Sequence, residues 1–151
     1  MTGALQAIAW GGAACAILDG VAATVQFALI GISPLRIWQG VASGLLGERA
    51  FRQGWVSGGL GLLLHFVIAF VAATVFVEVC LLVPFFARVY WIAGPLYGVA
   101  VFLVMNLVVV PLSARPKRPA SSRAIAVQVI IHILFVGFPI ALATNRFAFL
   151  S

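Results

Sequence analysis

Charge is almost absent from this 151-residue chain, and where it occurs it marks the ends of four long apolar runs. Only 8% of the residues are charged and 64% are hydrophobic, against about 25% charged in a soluble domain. Mean hydropathy is +1.21. A helix needs about 20 apolar residues to cross about 30 Å of hydrocarbon. The runs at 4–30, 55–83, 90–112 and 124–143 are each long enough, and they leave no room for a soluble domain. The expected fold is all-α: a single transmembrane domain, 1–151, with four spans. Short links make neighbouring spans antiparallel, so the simplest arrangement is an up-down bundle.

The first run has no Lys or Arg before it. It is therefore expected to be a span rather than a cleaved signal sequence, whose leading region is basic. Basic residues of membrane proteins collect in cytoplasmic loops. Arg36, Arg49 and Arg52 lie between the first two spans, and Arg115, Lys117, Arg118 and Arg123 between the last two. The opposite side holds only Arg88 and Arg146. Both basic loops are accordingly expected in the cytoplasm, with both termini outside. The net charge of +6 then reflects attraction to anionic lipid headgroups. Short basic loops without a recognition motif do not point to nucleic acid.

Between the first two spans, Ser33 suits a helix cap and Pro34 the first helical position. Ile37, Val41 and Leu45 recur every four residues, and Arg36, Glu48 and Arg49 sit at the ends. A run at 34–48 is too short and too charged to span. It reads as a helix in the cytoplasmic interface with Trp38 at headgroup level, or as a re-entrant segment packed through Gly40 and Gly44. Cys15 and Cys80 fall inside spans as small buried residues, and their spacing carries no metal signal.

A few polar residues lie at membrane depth, and they are the candidate functional groups. From a rise of about 1.5 Å per residue, Asp19, His65 and His132 fall about 12 to 17 Å from the cytoplasmic boundary, near the midplane. Asn106 is shallower. An aspartate at a helix centre costs about 2.5 to 3.5 kcal/mol on insertion scales. Its helical face carries Gly12, Cys15, Ala16, Ala22, Ala23 and Gln26. Small residues such as Gly12 and Ala16 admit a neighbouring helix, so Asp19 should face protein. Its two readings are a proton-exchanging or ligand-binding carboxylate and a structural acid that clasps a helix. The histidines read as interhelical hydrogen-bond partners, as a proton relay, or as axial ligands of a haem. Gly94 and Gly98 have GxxxG spacing, which suits packing of the third span or a homodimer. Each half of the chain is a hairpin with a polar residue on its first helix (Asp19, then Asn106) and a histidine on its second (His65, then His132). That pattern suggests a duplication.

From Gly59 to Leu112 the chain resembles the YagU-like inner-membrane proteins of bacteria. The matching features are His65 in an apolar run, Pro84 closing that helix, Gly94-x-x-x-Gly98, Asn106, and Pro111 five residues later. In that family a histidine can stand where Asn106 stands here. The resemblance implies a small multi-span protein of the bacterial inner membrane with a suggested link to acid tolerance and no established activity.

Three functional readings follow. The leading one is a non-enzymatic membrane protein with a midplane cluster of Asp19, His65 and His132, joined by Asn106, in proton- or ion-linked homeostasis. The second is an accessory subunit of a larger membrane complex, which the small-residue faces also fit. The third is an electron carrier with haem between His65 and His132. An enzyme is not expected. The chain has no carboxylates at catalytic spacing, no HxxxH and no nucleophile elbow.

Overall fold

The computed structural model describes residues 2–117 and 121–149. Arg118 and Pro119 of the second basic loop lie outside the described residues. The described residues are almost wholly helical and contain no strand. Helix α1 covers Thr2–Ala28 and α2 covers Pro34–Leu46, which runs on as a 3₁₀ turn over Gly47–Arg52. Helix α3 is Gly54–Leu82, followed by the single turn α4, Phe85–Arg88. Helix α5 spans Tyr90–Leu112 and α6 spans Ser122–Phe149. Among the described residues, helices α1, α3, α5 and α6 are the four that are long and apolar enough to cross a membrane.

Small residues decide which helices meet. On α1, Gly12 faces the Phe70 ring of α3, where an added Cβ would lie 2.8 Å from a ring carbon. Ala16 is buried in the same seam. Gly11, on another face of α1, meets Ala143 and Ile140 of α6. On α5, Gly94 and Gly98 lie against Gly137, Phe138 and the His132 carbonyl of α6. A Cβ at Gly98 would clash with that carbonyl. The GxxxG face is thus filled by a helix of the same chain, at the close backbone approach that small residues permit. The core between these seams consists mainly of alanines with Cys15, Phe76, Cys80, Val136 and Ile140. The large side chains point outward instead: Leu5, Trp10, Ile17, Val21, Leu63, Leu96 and Leu107 are all more than half exposed.

Helix α2 begins as its sequence suggests. Ser33 accepts from the Arg36 N–H and Pro34 takes the first helical position. In the apolar row, Ile37 and Val41 are half-buried and Leu45 is 65% exposed. The buried face is Gln39, Ala42 and Ser43. Gln39 Nε2 donates to the Gly54 carbonyl (3.1 Å), and the buried Ser57 hydroxyl donates to the Ala50 carbonyl (2.6 Å). The Trp38 backbone carbonyl abuts Gly61 of α3, and its ring reaches Gly20 of α1.

Two spans carry π-helical turns, at Met105–Val109 in α5 and at His132–Gly137 and Asn145–Phe149 in α6. The first two lie just before Pro111 and Pro139. A proline lacks an N–H and crowds the carbonyl four residues back, and a widened turn absorbs the mismatch. Asn106 and His132 both sit in these turns.

Candidate functional site

His65 lies two turns and more into α3 and faces α1. Its Nε2 is 2.9 Å from the carbonyl oxygen of Ala16. A carbonyl only accepts, so Nε2 carries the hydrogen and donates it. The other ring nitrogen, Nδ1, then faces Asp19 Oδ2 at 3.9 Å. The side chains are 14% and 18% exposed for His65 and Asp19. Asp19 is one turn beyond Ala16 on the same helix, so one stretch of α1 presents both partners of the imidazole.

At 3.9 Å, Nδ1 and Oδ2 are beyond direct hydrogen-bond reach but within ion-pair distance of each other.

Trp38 covers the pair from the side of α2. Its ring centroid is 5.3 Å from that of His65, tilted by 60°. Gly20 completes the enclosure, since a Cβ there would lie 3.2 Å from Trp38 Cη2 and 3.3 Å from His65 Nε2. Outside this wall, an apolar groove of about 390 Å³ runs between α1 and α3, lined by Ile17, Gly20, Val21, Trp38, Leu62 and Phe66 among others.

The remaining candidates stand apart. His132 Nδ1 donates to the Gln128 carbonyl of its own helix (2.8 Å), and its ring meets Phe102 of α5 edge-on at 5.4 Å. It has no hydrogen bond, ion pair or ring contact with His65 or Asp19 among the described residues. Asn106 is exposed and donates to the Phe102 carbonyl one turn back (2.9 Å). Glu78 is exposed, with no basic group within 4.0 Å among the described residues. No group of three or more His, Cys, Asp or Glu side chains is placed to hold a metal ion among the described residues.

Other polar contacts tie the helices together. Gln128 Nε2 donates to Gln26 Oε1 at 3.0 Å, joining α6 to α1. Both residues are visible in the sequence near Asp19 and His132, but nothing in one chain pairs positions 102 apart. The Tyr97 hydroxyl donates to the Ala72 carbonyl (2.7 Å) and its ring packs on Phe76, joining α5 to α3. Trp38 and Gln39 are residues to which sequence reasoning assigned no partner. The available signal was the small and polar row opposite Ile37, Val41 and Leu45.

Among known proteins, no family model, no curated protein and no solved structure matches this chain, so the reading of the site rests on its geometry alone.

Proposed function

We propose that the chain is a multi-pass protein of the bacterial inner membrane in which the Asp19–His65 pair takes up and releases a proton as part of proton- or ion-linked homeostasis. The observation that carries this reading is the 3.9 Å approach of an intramembrane carboxylate to the free nitrogen of an imidazole whose other nitrogen is already engaged. An intramembrane acid is a functional group by default, and this one has a titratable partner at hand. The outward-facing leucines, valines and isoleucines support insertion in a bilayer, with the small-residue faces turned inward. An up-down arrangement fits the contacts at both ends. The Ala114 N–H donates to the Gly44 carbonyl, joining the two basic connections (2.9 Å). At the far end Asn145 donates to the Ala87 carbonyl (2.9 Å), and Trp10 stacks near Phe147. The basic connections would then face the cytoplasm and anionic headgroups.

The test is proton flux into liposomes containing the purified protein and a trapped pH dye. The wild type should dissipate an imposed pH gradient faster than empty vesicles. Asp19→Asn and His65→Gln should each return the rate to that of empty vesicles, while His132→Gln should not. Infrared difference spectra on acidification should show a carboxyl band that Asp19→Asn removes. Wild-type flux equal to that of empty vesicles, with no such band, would sink the proposal.

A further inference from the structure

The joint between α2 and α3 holds a second group of charges, away from the Asp19–His65 pair. A pocket of about 270 Å³ is lined by Arg36, Glu48, Phe51, Arg52 and Pro116. Arg36 is held in place: its guanidinium carbon sits 4.6 Å from the centroid of the Phe51 ring, and Nη1 donates to the Phe51 carbonyl at 3.3 Å. Its remaining guanidinium N–H groups make no hydrogen bond among the described residues. The Arg52 and Glu48 side chains make no hydrogen bond among the described residues, and no carboxylate there lies within 4.0 Å of either guanidinium. Two cations and one anion therefore share one opening without neutralising each other. Pro116 closes the wall from the other basic connection. The 77% exposed Trp55 lies close by in sequence, in the first turn of α3, where an aromatic ring suits a headgroup level.

We propose that this pocket holds the phosphoethanolamine headgroup of a membrane lipid. The inference rests on the bilayer reading above. The phosphate accepts from Arg36 and Arg52, whose planar forks match phosphate oxygens. The ammonium donates to Glu48. Choline has no N–H to give Glu48, and a glycerol headgroup offers Glu48 only neutral hydroxyl donors in place of an ammonium. The pocket thus selects a zwitterion that carries N–H groups, whereas the rest of the basic surface attracts any anionic lipid.

The experiment incorporates the full chain into bilayer discs of equal parts phosphatidylethanolamine, phosphatidylglycerol and phosphatidylcholine. Lipids retained on release from the discs are counted by native mass spectrometry. Phosphatidylethanolamine should be enriched about tenfold over the other two, a ratio that one charge-assisted hydrogen bond sustains. Glu48→Gln should abolish the preference while phospholipid is still retained. Arg52→Gln should lose retention, and Arg52→Lys should restore part of it. Inorganic phosphate added at millimolar concentration should not displace the lipid. Equal retention of the three lipids by an inserted protein overturns this inference alone, as does displacement by phosphate, which would mark a site for a free anion. A chain that fails to enter the discs overturns the bilayer reading with it.

Discussion

Gly20 controls the Asp19–His65 pair without belonging to it. An alanine there would put a methyl group 3.3 Å from His65 Nε2 and 3.2 Å from Trp38, so one of the two rings must shift. Gly20→Ala should therefore lower proton flux while the helix content measured by circular dichroism is unchanged. Glycines elsewhere separate into those that a side chain would break and those that it would not. At Gly98 a Cβ meets the fixed backbone of His132, and overpacking of this kind costs about 1 to 3 kcal/mol. At Gly59 nothing lies within 4 Å, and alanine in a helix is favoured over glycine by up to about 1 kcal/mol. Unfolding titrations in mixed micelles should thus show Gly98→Ala destabilised and Gly59→Ala unchanged or slightly stabilised. Equal midpoints for the two variants would contradict the α5–α6 contact described above.

At the scale of elements, the sequence was legible where the rule is simple and illegible where side chains choose between two apolar surroundings. The second run, expected at 55–83, is helical over Gly54–Leu82, because an uninterrupted apolar stretch has no competing structure. The fourth was expected over 124–143. It continues to Phe149, since Asn145 finds the Ala87 carbonyl and the helix widens into a π-turn. Helix α2 shows the other limit: the row Ile37, Val41 and Leu45 gives its period but not its packing. Ile37 and Val41 are half-buried, Leu45 is exposed, and the buried face is the small, polar row Gln39, Ala42 and Ser43. The candidate cluster was read from depth alone. Depth places residues in a layer but gives no rotation about each helix axis, so Asp19 and His65 meet while His132 turns to Phe102. The Gln26–Gln128 contact offers a direct check on how α1 and α6 pack. A double-mutant cycle with alanine at both positions should give a coupling of about 0.6 kcal/mol, the average for hydrogen bonds inside membranes. A coupling of zero would mean that the two amides do not meet.

For the molecule as a whole, the proposed orientation predicts where reagents can reach. A cysteine at Ala114 should react with an impermeant thiol reagent only from the cytoplasmic side, and one at Ala87 only from the outer side once the bundle is loosened. The opposite pattern would invert the topology. The separation of Asp19 from its partner along the chain has a consequence for biosynthesis. At about 5 to 20 residues per second, Asp19 leaves the ribosome several seconds before His65 does. During that interval the first span presents its carboxyl group to the insertion machinery with no imidazole, no Trp38 and no neighbouring helix. The first helix is therefore a poor anchor by itself, and a nascent chain truncated before α3 should be integrated less completely than one that includes it.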